Sequence, residues 1–338
     1  MTAMENQYLP LGCFGKLPCY GDFLEGSVFY PTSRALKEWI LESRKAIGLE
    51  GAEDNEEGKP KEPRETLGCR FLYGLPGSME LVAGVMRPSS DQGGRRHFPF
   101  AVFAHFPRRL YGRNYSLLPM ALGPVWEALH EAWDNLGNVA TRAAFQEVVD
   151  STMIPGPLPI ADVRTAYQGM QQETINLTFE RCGARLGDFL RNMPEVVAQL
   201  RKRTESDRLR LELPASSGGD AAGFEAAFWI DLLNHQFIWR RFDPSVFLQE
   251  KTAKETSRIL MLFGILEATD YPLIMGSEGT GGKVSRPARP SESSGEPRAP
   301  EEKQITYAEL LARRFTSGSR SQSAAARPES TRGADEAG

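Results

Sequence analysis

The hydrophobic pattern predicts a group of β-strands from about Phe71 onward. Three runs, CRFLYGL, MELVAGVMR and FPFAVFAHF, are rich in aromatic or branched residues and are bounded by Gly, Pro or Arg, which is typical of strands. The last two runs are predicted to form a hairpin. Their connection at 88–97, PSSDQGGRRH, combines a proline, an aspartate and a Gly-Gly pair, which favours a turn longer than two residues.

Helical periodicity predicts helices on both sides of these strands. The segment 32–48 is expected to be an amphipathic helix, with Thr32 or Ser33 as its N-cap. Its apolar face is formed by Leu36, Trp39, Ile40 and Ile47. Two further helices, LLPMALGPVWEALHEAWDNL and VATRAAFQEVVDSTM, are separated by Gly137 and Asn138, and PGPLPIADV then predicts an extended connection.

The second half of the chain continues the mixed pattern. The predicted elements are a helix at 185–203, a strand at 206–214, a buried helix at 224–242 and a last strand or helix in SRILMLFGILEATDYPLI. Hairpin-linked strands followed by helices indicate an α/β protein of the α+β type, with a mostly antiparallel central sheet flanked by helices.

Polar stretches predict where the folded core is interrupted and where it ends. Residues 50–65 are almost wholly charged or turn-forming and are predicted to be a solvated loop. The core is predicted to cover 8–275, with a helical extension at 136–275, and 276–338 to be a disordered tail. A short helix at 301–315 would place Ile305, Ala308 and Leu311 on one face. It is either a docking helix or a transient helix in the tail.

Charge and hydropathy narrow the classes of partner. The chain has 338 residues and a formal net charge of −4, so no basic field favours nucleic acid or anionic lipid. The N-terminus lacks a signal-peptide pattern, and ILMLFGIL at 259–266 is far shorter than the ~20 apolar residues of a spanning helix. We therefore expect a soluble, cytoplasmic protein that does not insert into membranes.

No complete catalytic or metal-binding pattern is present in the sequence. The four cysteines include no CxxC pair, and no two histidines stand at helical ligand spacing. GSEGTGGKVS departs twice from a phosphate-binding loop, at Ser277 and Val284. The prediction is a protein with no catalytic residues, no cofactor and no metal. The alternative is a hydrolase of unknown substrate that uses Cys13 or Cys19 with a distant histidine.

Two glycine-containing segments carry the candidate site residues. The stretch FGKLPCYGDFLEG at 14–26 and the hairpin loop at 88–97 both combine a carboxylate with cations. The candidates are Lys16, Asp22, Asp91, Arg95 and Arg96. They either hold the two loops together at one end of the sheet through carboxylate–arginine pairs or present a surface to a partner.

Two motifs in these segments point to a family. GKLPCYGDF at 15–23 and GVMRPSSDQGGRRHFPF at 84–100 resemble the hallmarks of the TagF (ImpM) family, G-K-L-P-x-x-G-D-F followed by P-S-x-D-x-x-G-R-x-F-P. The resemblance covers about 11–135. The spacing from Gly94 to Phe98 is one residue longer than in the family pattern, so either Arg95 or Arg96 takes the family position.

The resemblance implies a role in type VI secretion. Proteins of this family are cytoplasmic accessory regulators that repress assembly or firing of the secretion apparatus after translation, by binding a scaffold protein with a forkhead-associated domain. In some relatives the domain is fused to a serine/threonine phosphatase domain. Because this sequence shows no metal-binding phosphatase signature, we expect it to regulate by binding and not by dephosphorylation. The resemblance also implies that the stretch at 14–26 is a turn-rich entry into the first helix, in which Asp22 meets the arginines of the hairpin loop.

Overall fold

The computed structural model describes residues 8–46, 68–94, 98–182, 184–202, 208–215, 220–236, 243–250, 257–275, 284–287 and 304–315. Several sequence predictions fall outside these residues. They are the solvated loop at 50–65, the apolar position Ile47, the arginines Arg95 and Arg96, and most of the tail at 276–338.

An antiparallel sheet forms the centre of the described part of the chain. The strands are β1 (Tyr8–Pro10), β2 (Gly12–Gly15), β3 (Leu24–Gly26), β4 (Cys69–Tyr73), β5 (Glu80–Arg87), β6 (Phe100–Pro107), β7 (Met153–Pro155), β8 (Leu209–Pro214), β9 (Ser245–Gln249) and β10 (Arg258–Phe263). Eight of these described strands form one sheet in the order β3-β2-β6-β5-β4-β9-β10-β8, and β1 pairs with β7. Each neighbouring pair is antiparallel. The predicted β5–β6 hairpin is confirmed, with Glu80 opposite Pro107 and Arg87 opposite Phe100.

Helices cover both faces of the sheet. They are α1 (Pro31–Ala46), α2 (Leu118–Ala121), α3 (Gly123–Gly137), α4 (Arg142–Ser151), α5 (Ile160–Met170), α6 (Asn176–Arg181), α7 (Leu186–Lys202), α8 (Asp220–Gln236), α9 (Tyr271–Ile274) and α10 (Tyr307–Leu311). The predicted fold class, a mixed α/β protein with a large antiparallel sheet flanked by helices, is confirmed.

The alternation along β6 separates two hydrophobic cores. Phe100, Val102 and Ala104 point into the core beneath α3 and α8, and Ala101 and Phe103 point into the core beneath α1 and α9. Because both faces are covered, the central strands have nearly continuous apolar sequences and not the strict alternation of a half-exposed sheet. Among the side chains buried within these cores, Trp126 and Phe247 each contribute roughly 1.5–3 kcal/mol.

The first helix lies where the apolar spacing places it, but its expected cap is wrong. Leu36, Trp39 and Ile40 are buried in the core as predicted. The helix begins at Pro31, however, so Thr32 and Ser33 lie inside its first turn. Their hydroxyls make other bonds: Thr32 Oγ1 lies 2.8 Å from Ser78 Oγ, and Ser33 Oγ donates to the carbonyl of Tyr30.

Two other expectations need correction. The stretch at 14–26 is more than a turn-rich entry into α1, because β2 and β3 pair across it, with Phe14 opposite Glu25. The helix expected in LLPMALGPVWEALHEAWDNL is divided into α2 and α3 at Leu122. Pro124 lies in the first turn of α3 and cannot donate the backbone hydrogen bond that a continuous helix requires at that point.

The described C-terminal segments pack on the core. The short helix expected within 301–315 is present as α10, and its segment buries Ile305, Tyr307, Leu310 and Phe315. Ala308 and Leu311 are only partly buried, so the predicted contact face is shifted by about one position. The buried core therefore includes residues beyond 275, and the docking-helix interpretation stays a prediction.

Candidate functional site

The two motif-bearing segments meet at one end of the sheet. Gly15 ends β2 opposite Phe100 of β6, and Arg87 ends β5 opposite the same residue. The connections that follow, 16–23 and 88–97, therefore leave the sheet at the same end. The backbone N–H of Gln92 donates to the carbonyl of Tyr20 over 3.2 Å. This contact places the two segments side by side, as the first of the two sequence interpretations requires.

The backbone conformation and close contacts of Gly15 explain why the GKLP motif begins with a glycine. Its φ is +143°, a conformation that residues with a side chain rarely adopt. A Cβ atom at this position would lie 2.2 Å from the carbonyl oxygen of Pro99 and 2.7 Å from Cα of Phe100. The GKLP glycine and the Phe-Pro-Phe end of the second motif are thus in backbone contact, which accounts physically for their occurrence together.

Three aromatic rings link the segments above this contact. The rings of Phe14 and Phe23 are stacked, with centroids 5.5 Å apart. Phe98 meets both rings edge-on, at 6.0 Å from Phe14 and 4.8 Å from Phe23. These offset and edge-on geometries are the ones that aromatic quadrupoles favour. We call Phe14, Phe23 and Phe98 the aromatic cluster.

Each ring of the aromatic cluster carries a cation. Nζ of Lys16 lies 4.8 Å from the Phe23 centroid, Nζ of Lys37 lies 5.1 Å from that of Phe14, and the guanidinium of Arg44 lies 5.7 Å from that of Phe98. Such distances are within the range of cation–π attraction. Lys16 is only 4% exposed, whereas Phe23 is 37% exposed. The predicted site residue Lys16 therefore supports the cluster from below, and Phe23 is its accessible surface.

The two aspartates have different environments. Asp22 is exposed, and its Oδ1 accepts a hydrogen bond of 2.8 Å from the backbone N–H of Phe23. Asp91 is buried, and its carbonyl accepts from the N–H of Gly94 over 2.9 Å. Because Arg95 and Arg96 lie outside the described residues, the pairing of these arginines with Asp22 or Asp91 stays a prediction.

Two cations beside the aromatic cluster, Lys37 and Arg44, were not among the residues predicted from the sequence. Arg44 and Lys37 come from α1 and belong to neither motif, yet both cover the aromatic cluster. Lys37 also forms an ion pair with Glu25 of β3. Their spacing of seven residues, two turns along one helix face, is the only pattern that could have indicated them.

The cysteines lie in surroundings that disfavour the thiolate. Burial raises the pKa of Cys13 to about 12 and that of Cys182 to about 11. Burial also raises the pKa of Cys69 far above its usual range and raises the pKa of the partly buried Cys19. A nucleophilic cysteine needs the opposite shift.

The described part of the chain offers neither a metal-binding cluster nor a membrane-spanning helix. Its residues contain no group of three or more histidine, cysteine, aspartate or glutamate side chains placed to hold a metal ion. None of its helices is long and apolar enough to cross a membrane.

These features define an α/β protein in which two glycine-containing loops meet at one end of an antiparallel sheet. Residues 12–152 match the family model described as the TagF N-terminal domain, type VI secretion system-associated. The chain thus carries a domain of the TagF family, and the resemblance inferred from its two motifs is confirmed. This domain relates the chain to type VI secretion.

Comparison with solved structures and with curated proteins gives no further information about function. The fold search matched the crystal structure of PA0076 from Pseudomonas aeruginosa PAO1, with 17% sequence identity and a TM-score of 0.43, over 80% of this chain and 96% of that chain. That similarity is too low to support an argument about function. No curated protein matched the chain in sequence.

Proposed function

We propose that this chain is an accessory regulator of type VI secretion that represses assembly or firing of the apparatus by binding another protein. Its proposed partner is a scaffold protein with a forkhead-associated domain, and its proposed place of action is the cytoplasm. It acts by occupancy of that partner and not by catalytic turnover. The family domain over 12–152 supports the connection to type VI secretion.

The observation that carries the binding proposal is the convergence of both motifs on one surface. The aromatic cluster is fixed from below by buried Lys16, and exposes part of Phe23. Asp22 is exposed on the same loop, and the segment that contains Arg95 and Arg96 begins one residue after Gly94. Aromatic and arginine side chains on a rigid support are the residues that most often dominate protein–protein binding energy.

The cysteine-hydrolase alternative is weakened by the thiol environments. Cys13 lies inside β2 and is completely buried, and its raised pKa keeps it protonated at neutral pH. Cys19 is more accessible, but its pKa is raised as well. Alkylation of the accessible thiol is therefore expected to leave partner binding and repression unchanged, and loss of both would favour the alternative.

A pull-down with matched charge reversals tests the proposal. The variant Arg95→Glu/Arg96→Glu should lose capture of the forkhead-associated scaffold while its thermal midpoint stays close to that of the wild type. The control, Arg109→Glu/Arg181→Glu, makes the same change in net charge at two exposed positions outside the motif segments. It should capture the scaffold normally, because the proposed contact depends on a local patch and not on the overall field.

Three results would count against the proposal. Failure of the wild-type chain to capture the scaffold would remove the proposed partner. Equal loss of capture in the control would show that net charge, and not the motif surface, is recognised. Loss of both binding and folding in the Arg95/Arg96 variant would assign these arginines a structural role.

A further inference from the structure

The opposite edge of the large sheet carries a second contact surface. Strand β8 pairs with β10 on one side, and on its other side it receives residues 284–287 of the same chain. Ser285 forms a parallel bridge with Leu211: its N–H donates to the carbonyl of Arg210 over 2.9 Å, and its carbonyl accepts from the N–H of Glu212 over 3.1 Å. Residues 284–287 thus lie where a ninth strand would begin.

Side chains fix the register of this segment. Nε of Arg286 lies 2.7 Å from Oε2 of Glu212, which forms an ion pair. On the α7 side, Nδ2 of Asn192 donates to the carbonyl of Pro287 over 3.0 Å, and Ser285 Oγ donates to Oε1 of Gln199 over 3.2 Å. The segment therefore occupies a groove with β8 as one wall and α7 as the other, which we call the β8–α7 groove.

The groove has free space beside residues 284–287, and three carboxylates lie in its walls. A cavity of about 400 Å³ lies between α7 and residues 284–287. Its lining includes the carboxylates of Asp188 and Glu195, and Glu212 pairs with Arg286 at the β8 wall. Arg191 and Arg258 neutralise part of this charge through ion pairs with Asp188 and Glu212. An extended segment with an arginine is the chemistry that these walls fit.

Within the described residues 284–287, the segment forms one bridge with β8, between Ser285 and Leu211. Two backbone bonds are enough to hold a tethered segment, because the tether supplies a high effective concentration. The edge of β8 is a template for main-chain hydrogen bonds with an added strand.

We propose that the β8–α7 groove is a strand-docking site for an extended, arginine-containing segment of a partner protein, and that residues 284–287 occupy it as a competing internal ligand. The partner segment adds to β8 beside Arg210 and Glu212 and places its arginine on Glu212. The groove lies at the edge of the sheet opposite β3 and outside residues 12–152. The proposal is therefore independent of binding at the motif surface.

Peptide binding to the full-length chain tests this proposal. The probe is a fluorescein-labelled peptide with the sequence of residues 280–290, TGGKVSRPARP. Ser285→Pro removes the N–H that donates to Arg210, and Arg286→Glu leaves the backbone intact but repels Glu212. Both variants should release the internal segment. If that segment covers the groove in about nine molecules of ten, each variant should bind the probe roughly tenfold more tightly than the wild type.

A double-mutant cycle tests whether the arginine of the probe binds at Glu212. In the Ser285→Pro background, Glu212→Gln should weaken binding of the probe by about threefold, the size of a partly exposed ion pair. The same substitution should not affect a probe in which Arg286 is replaced by Gln. Thermal unfolding of each variant shows whether the fold is retained, and Arg286→Glu takes the place of Ser285→Pro if the proline variant does not fold.

Distinct outcomes overturn the proposal. Equal probe affinity for the wild type and both release variants would show that residues 284–287 do not compete for the groove. Absence of probe binding to both folded variants would show that the groove is not a docking site. A wild-type dimer that appears with concentration in light scattering and is dissociated by the unlabelled peptide would assign the groove to a second copy of the chain. Scaffold capture through the motif surface is unaffected by any of these results.

Discussion

Gly15 is a residue at which the two family motifs are in backbone contact. Its positive φ and the 2.2 Å separation between a hypothetical Cβ and the Pro99 carbonyl are two independent reasons why only glycine fits. Gly21, six residues later in the same motif, is different: a Cβ there would have no atom within 4 Å, and its φ is outside the left-handed region. The two glycines of one motif therefore have different physical roles.

A pair of alanine substitutions tests this difference. Gly15→Ala should lower the free energy of unfolding by at least ~2 kcal/mol, because it combines backbone strain with a backbone collision. Gly21→Ala should change the same quantity by less than ~1 kcal/mol in either direction, since no clash opposes it. Urea unfolding followed by tryptophan fluorescence measures both. A Gly15→Ala protein as stable as the Gly21→Ala protein would contradict the proposed contact.

The candidate site could be predicted in part from its residues. One of the two sequence interpretations placed the segments at 14–26 and 88–97 together, and the Gln92–Tyr20 bond joins their described parts; the carboxylate–arginine pairs stay a prediction. It could not indicate that Lys16 is buried beneath Phe23, because a lysine in a polar loop is ordinarily solvated. It also could not supply Arg44, since cation–π contacts between an α1 side chain and Phe98 depend on how the helix is packed.

At the level of elements, α10 shows how a short helix becomes part of a core. Its five residues are too few to be stable as an isolated helix. Thr306 and Glu309 form a capping box at its start, which satisfies backbone groups there. Tyr307 packs edge-on against Phe224 and Phe228 of α8. Its hydroxyl lies 2.6 Å from Oγ1 of Thr178, within α6.

Truncation of a buried α10 side chain should destabilise the whole core. Leu310 is fully buried, so Leu310→Ala should lower the free energy of unfolding by ~2 to 4 kcal/mol. The exposed Arg313, one residue beyond the turn that ends α10, provides the control, and Arg313→Ala should leave stability nearly unchanged. Urea unfolding of the full-length chain distinguishes them. Equal stability of the two variants would restore the interpretation of a transient helix.

Elements with strong periodicity were predictable, and those set by distant partners were not. The β5–β6 hairpin and the amphipathic α1 follow from local apolar spacing, and the structure has both. The β2–β3 pairing was missed because strands of four and three residues, joined by a connection that contains Pro18 and Gly21, carry little periodic signal. The buried face of α10 was shifted because it is determined by α6 and α8, which precede it by more than 70 residues.

For the molecule as a whole, each covered face of the sheet holds one of the histidines in the described part of the chain: His105 is buried and His130 is partly buried. His105 of β6 packs between the rings of Tyr30 and Phe103 on the α1 side. His130 of α3 lies on the other side, where Nε of Arg70 and a terminal nitrogen of Arg87 approach its ring nitrogens at 3.0 and 2.7 Å. Burial lowers the pKa of His105 to about 4. Burial and, to a lesser degree, Arg70 and Arg87 lower the pKa of His130 to about 4.

Because of these lowered pKa values, the free energy of unfolding depends on pH. A histidine with a pKa near 6.5 when unfolded and about 4 when folded binds more protons in the unfolded state between these values. The free energy of unfolding therefore rises with pH in this window: the contribution is fully present above about pH 6.5 and is lost as pH falls toward about 4. Burial raises the pKa of Glu80 and Asp243, and these groups oppose the trend where they titrate.

When the pH is lowered from 7 to 5.5, we expect the free energy of unfolding to fall by ~1 to 2 kcal/mol for each of these histidines. His105→Phe should abolish its share, because an aromatic ring between Tyr30 and Phe103 is retained while the ionisable group is removed. Urea unfolding at the two pH values should show a smaller difference for this variant than for the wild type. His130→Gln provides the comparison on the opposite face, and the double variant should lose both contributions if the two layers titrate independently. An unchanged pH dependence in the double variant would mean that other groups control acid stability in this protein.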